Sequence, residues 1–110
     1  MITASFTRNE TGLRLALSGH AIYCESGDDI VCAAVSGIFY ALCGYLANTH
    51  KEGLIIHSIR PGCGDVECDA SGEEAMRFAC IGLLQIALTY PENLAVINSA
   101  FNWKIKQGVA

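Results

Sequence analysis

An α+β two-layer sandwich is the fold this sequence predicts, with element order ββαββαβ and a mixed sheet covered by two helices. Three observations lead to it. Short apolar segments with strand character stand in pairs separated by turn residues. Two longer segments, one from Ile30 and one from about residue 73, carry their apolar residues at helical rather than alternating spacing. At 110 residues the chain suits one domain spanning 1–110, which buries roughly two-thirds of the surface of its unfolded form.

The segments ITASFT and LRLALS alternate around the turn-rich Asn-Glu-Thr-Gly at residues 9–12. They read as a β-hairpin whose inward faces carry Ile2, Ala4 and Phe6, and Leu13, Leu15 and Leu17. Residues 30–49 then run for twenty positions without a charge, which is long enough to span a bilayer. Ser36, Tyr40 and Asn48 inside the segment, two aspartates ahead of it and the single Lys51 behind it argue against a membrane. The expectation is a soluble helix buried on most sides by the sheet and a partner subunit. LIIHSI (54–59), the Pro61-Gly62 turn and a strand around 64–69 form a second hairpin. Ser71-Gly72-Glu73-Glu74 matches a capping box that opens a helix to about residue 89, with Ala75, Cys80, Leu83, Leu84 and Ala87 as its apolar stripe. Tyr90-Pro91 stops it, and LAVIN is a final strand.

The formal net charge is −4, and no Lys/Arg cluster is available to neutralise phosphates, so direct nucleic-acid binding is not expected. The N-terminus MITASFTRNE lacks the charged and apolar regions of a secretory signal, so the six cysteines are read as reduced thiols and the protein as cytoplasmic. No CxxC pair occurs, and His20, His50 and His57 do not fall at zinc-finger spacing. Neither a metal nor a cofactor is expected, since no phosphate loop or dinucleotide fingerprint is present either. His57 reads as a half-buried strand residue, and Glu73 and Glu74 as a helix start rather than an acid/base pair.

Chemistry concentrates in SGHAIYCESGDDIVCAAVSG, residues 18–37, where His20 and Cys32 stand twelve positions apart. With Asp29 as N-cap, Cys32 is the third helical residue. Unpaired amides and the positive end of the helix dipole favour a thiolate there. Gly19-His20 closes the second strand, and Gly27 lets the connecting loop fold back over the helix start, so His20 can meet Cys32. An imidazole in reach would take the thiol proton and later protonate a leaving amine, while first-turn amides receive the oxyanion. A second reading stays open at this point: Cys32 as a small buried hydrophobe and His20 as a loop residue. Cys24 lies in the loop with no helix behind it and reads as a peripheral thiol. Asp29 either caps the helix or orients His20.

Gly19-His20-Ala21, then Gly27, then Asp29-Ile30-Val31-Cys32-Ala33-Ala34 and Ser36 resemble the signature of the bacterial ribosomal-processing cysteine protease family, Prp. The resemblance implies a homodimer of an α/β fold with His20 and Cys32 as catalytic dyad and Gly19, Gly27, Asp29 and Ser36 in support. It further implies an endopeptidase that removes the N-terminal extension of a large-subunit ribosomal protein precursor, cutting after an apolar, aromatic-containing segment. Two other functions compete with it. One is a noncatalytic ribosome-assembly module; the other is a thiol-based redox enzyme, with Cys24 as the resolving cysteine. For the protease, residues 21–28 are expected to close over bound peptide, and an apolar groove beside the first hairpin to take the extended segment by strand addition.

Overall fold

A computed structural model describes residues 1–19, 29–49, 52–60 and 63–101. The elements follow the expected order. They are β1 (Ile2–Arg8), β2 (Gly12–Ser18), α1 (Asp29–Thr49), β3 (Ile55–Arg60), β4 (Cys63–Asp69), a 3-10 turn (Ala70–Gly72), α2 (Glu73–Thr89) and β5 (Leu94–Asn98). The first hairpin turns on Asn9, whose Oδ1 accepts from the Thr11 and Gly12 amides at 2.9 Å each, a side-chain substitute for a backbone turn.

The five strands lie in the order β3-β4-β2-β1-β5. Every pair is antiparallel except β1 with β5, which is parallel and places Ile2 beside Leu94. The sheet is therefore mixed, because the chain crosses over through α2 before its last strand returns beside its first. The first hairpin ends up in the middle of the sheet, with β1 between β2 and β5 and β2 between β1 and β4. It offers no free edge, and strand addition beside it is excluded; among the described residues the open edges belong to β3 and β5.

Alternation decides which face is covered. Ile2, Ala4, Phe6, Leu13, Leu15 and Leu17 are all buried, as their spacing predicts, and face the two helices. The opposite face carries polar residues, among them Arg14 bound through two nitrogens to Asp65 at 2.8 and 2.6 Å. Helix α1 packs against α2 and β4, whereas α2 reaches β5 and β2. By length and composition α1 could cross a membrane. Here Val31, Cys32, Val35, Phe39, Leu42, Cys43 and Leu46 build one side of it into the core.

Two local expectations are corrected. Ser71 does not cap α2, because its hydroxyl donates to Asp69 Oδ1 while its amide donates to the same atom at 3.0 Å. Asp69 thus caps the short 3-10 turn, and α2 begins at Glu73 without a side-chain cap. The buried stripe of α2 is centred on Met76, Ala79, Cys80 and Leu83, with Ala75, Leu84 and Ala87 packed at its margin. Glu73 instead binds Arg8 at 3.1 Å and Arg77 at 2.8 Å. The Arg8 hydrogen bond, helped by both guanidinium charges, holds its carboxyl below the usual range. Both guanidinium groups also sit over the Phe101 ring, at 5.6 and 5.7 Å.

Candidate active site

Strand β2 ends at Ser18, and the next residue turns the chain. Gly19 has φ +98°, a conformation that side chains rarely tolerate. A Cβ there would stand 2.4 Å from the Met1 carbonyl oxygen and 3.2 Å from Ile2 Cα. Only glycine fits both the turn and the approach, so the path of the chain into position 20 is set by packing against the start of β1. His20, Cys24 and Gly27 lie outside the described residues, and so does any contact between His20 and Cys32.

The other end of this connection is α1. Asp29 is its first helical residue rather than the flanking cap, so Cys32 is the fourth residue, still within the first turn of about 3.6 residues. The Asp29 side chain is outside the described residues. Cys32 is 4% exposed and belongs to the core cluster with Val31 and Val35. Ser36 is half-buried one turn along, about 40° around the helix from Cys32, and so on the same side.

The remaining described cysteines show what the alternative reading of a thiol looks like. Cys43 and Cys80 are buried in helix interiors, and burial pushes each thiol up to about 11. Cys68 is also raised, first by burial and then by the neighbouring Asp69 charge, against a lowering contact with the Leu13 backbone. Such thiols stay protonated and act as small hydrophobes. Cys63 is half-exposed on the open face, opposite Ser18 in register. Among these, Cys32 alone lies in the first turn of a long helix, where the positive end of the helix dipole favours an anion.

His57 is not the half-buried strand residue expected from sequence. It is exposed and pairs through Nε2 with Glu67 on the open face of the sheet. Alternation from Ile55, which pairs with the open-face Glu67, puts it there. Among the described residues no group of three His, Cys, Asp or Glu side chains is arranged to hold a metal ion. A groove of about 620 Å³ runs between α1 and α2, lined in part by Ala33, Gly37, Ala41 and Tyr45 and by Ala75 and Phe78. It is not the place of the chemistry, because Gly37, Ala41 and Tyr45 stand roughly 140°, 180° and 220° around α1 from Cys32.

Residues 1–95 match the family model described as cysteine protease Prp. The chain belongs to the cysteine protease Prp family. A ribosomal processing cysteine protease Prp from Mycoplasma genitalium is 29% identical over 89 residues, covering 79% of this chain and 89% of that one. Two solved structures share the fold. The essential ribosomal processing protease Prp from S. aureus, in complex with a substrate peptide, superposes with a TM-score of 0.76 at 22% identity over 90% of this chain and all of the other. A protein from Streptococcus mutans superposes with a TM-score of 0.70 at 26% identity over 92% and 96% of the two chains. The chain is therefore a cysteine protease with the mixed five-stranded sheet and two helices of that family. The reading of the chain as a noncatalytic module falls away, and Gly19 gains a structural reason that spacing alone did not supply.

Proposed function

We propose that this protein is an endopeptidase that removes the N-terminal extension of a large-subunit ribosomal protein precursor, with Cys32 as nucleophile and His20 as base. The observation that carries the proposal is the position of Cys32 in the first turn of α1, at the far end of the connection that the Gly19 turn begins. In this scheme His20 accepts the Cys32 proton, and the thiolate attacks the scissile carbonyl carbon to form an S–C bond. First-turn amides of α1 receive the developing oxyanion. Collapse breaks the C–N bond, and His20 gives its proton to the leaving amine. Water, deprotonated by His20, then attacks the thioester, releasing the carboxylate and restoring the thiol. Cys32 is 4% exposed, so a rearrangement that uncovers its thiol precedes attack.

The same reading accounts for surfaces away from the thiol. A net charge of −4 suits a basic ribosomal protein and disfavours nucleic acid. The free thiols of Cys43, Cys63, Cys68 and Cys80 suit the reducing cytoplasm. The outward side of α1 and the neighbouring Phe78, which is 81% exposed, form the homodimer interface rather than a membrane contact, with the small residues Ala33, Gly37 and Ala41 allowing close approach. Peptide cleavage by single variants tests the dyad. Cys32→Ala and His20→Ala each lose at least about a thousandfold in kcat/KM, the double variant loses no more than either alone, and Cys24→Ser retains activity. Turnover by Cys32→Ala near the parent rate refutes the mechanism. Loss on Cys24→Ser alone moves the assignment to thiol exchange.

A further inference from the structure

Among the described residues the sheet has two open edges, and they differ. On β5 one large apolar side chain, Ile97, is exposed, whereas β3 exposes Ile55, Ile56 and Ile59 at 52%, 43% and 41% within six residues. Edge strands of this kind are usually blunted by charge or proline. The bulge in β3, itself a device that blunts an edge, also changes which of its side chains share a face. Regular alternation would send Ile56 and Ile59, three residues apart, to opposite faces. The bulge takes up His57 as an extra residue, so that Ile56 pairs with Val66 and Ile59 with Gly64. Both partners are buried on the helix-covered face. The two isoleucines therefore stand on the core side of the sheet yet remain about two-fifths exposed, because α1 packs on β4 and no helix packs over β3 to a similar extent. The result is an apolar shelf beside α1 with an unpaired backbone edge along it.

The shelf leads to the site. Arg60, the last residue of β3, pairs with Cys63, which pairs in turn with Ser18, one residue before Gly19 and two before His20. We propose that the β3 edge is the docking rail for the substrate: an extended peptide segment adds as a sixth strand beside β3, with alternate apolar side chains resting on Ile56 and Ile59. This rests on the protease reading of Cys32 and names how its substrate is held. Backbone pairing supplies affinity independent of side chain, and the shelf supplies the preference for apolar and aromatic residues at alternate positions. One end of the added strand lies at the same end of the sheet as the Gly19 turn, three strand spacings or about 14 Å across from it, so about four further extended residues of the peptide reach that turn.

The Cys32→Ala protein separates docking from cleavage. The probe is a synthetic peptide with an apolar, aromatic-containing segment followed by basic residues, and a copy N-methylated at alternate backbone nitrogens. In Cys32→Ala, the unmodified peptide slows amide exchange across residues 55–60. Adding Ile56→Lys or Ile59→Lys weakens its binding at least about tenfold, and so does N-methylation. Both positions are exposed, so the fold, checked by circular dichroism, is retained. Absence of binding to Cys32→Ala, affinity within about twofold in both lysine variants, or unchanged exchange across β3 with peptide bound overturns the proposal. So does a dimer that Ile59→Lys dissociates without changing peptide affinity, which assigns the edge to self-pairing. Cleavage of the probe by Cys32→Ala at the parent rate refutes the nucleophile while leaving the binding result standing.

Discussion

Replacing Gly19 with alanine tests whether the turn into position 20 is part of the catalytic apparatus. A non-glycine residue held at φ +98° costs about 1–3 kcal/mol. The added Cβ meets the Met1 carbonyl oxygen at 2.4 Å and Ile2 Cα at 3.2 Å, so something has to move. Met1 is 67% exposed and can give way. Ile2 is 3% exposed, and its amide donates to the Asn93 carbonyl at 2.9 Å, which anchors it at the start of the parallel β1–β5 pair. Part of the displacement therefore falls on residue 19 and on His20 after it. A misplacement of about 1 Å in a catalytic group costs roughly a hundredfold in rate. The expected outcome is a melting temperature lower by about 4–20 °C and kcat/KM lower by about a hundredfold, measured well below both melting points. The reasoning is refuted if Gly19→Ala melts within about 2 °C of the parent and cleaves peptide at the parent rate.

Gly37 gives the opposite expectation, since a Cβ there meets nothing within 4 Å. Within one chain Gly37→Ala favours the helix by about 0.5–1 kcal/mol, but in the proposed dimer the added methyl meets the partner, so the variant dissociates at higher protein concentration than the parent in light scattering; an unchanged dimer with raised stability in denaturant would place the interface elsewhere. Phe78→Asp shifts the protein to monomer in light scattering without unfolding it, and an unchanged dimer would place the interface elsewhere. Cys43 and Cys80, with thiols pushed up to about 11, are only about one part in a thousand ionised at pH 8. In the folded protein they resist iodoacetamide at that pH, and alkylation at the rate of an unfolded thiol contradicts their burial. The unfolded chain ionises these thiols near the ordinary value of 9.0, so it holds fewer protons than the folded chain between there and about 11. Their contribution to stability is intact below that window and lost as pH rises through it.

Residues close in sequence announced the fold better than residues brought together from afar. LRLALS and ITASFT fixed their own inward faces because strand alternation is a local property, and LAVIN stood out between Pro91 and polar residues. The parallel pairing of Ile2 with Leu94, which moves the first hairpin to the centre of the sheet, depends on a crossover that no local pattern encodes. Ser71 looked like a helix cap because its spacing to Glu74 is right, but Asp69 lay two residues upstream and captured its hydroxyl and amide. IIHSI alternates imperfectly, and that irregularity was the one local sign of the bulge that aligns Ile56 with Ile59. Around the proposed site, the first-turn position of Cys32 on α1 was legible from the aspartates and apolar run around it. The need for glycine at position 19 was not, since its cause is the carbonyl of Met1, eighteen residues away.

The central claim is that Cys32 is the thiol that attacks the substrate. A peptide chloromethyl ketone carrying the apolar, aromatic-containing segment tests it directly, because only a nucleophile aligned with bound peptide displaces its chloride rapidly. The account predicts one equivalent of label per chain by intact mass, mapped by proteolysis to Cys32, with activity lost in proportion and protection by substrate peptide. Stoichiometric labelling of Cys24 or Cys63 instead, or complete inactivation with Cys32 unmodified, would contradict it.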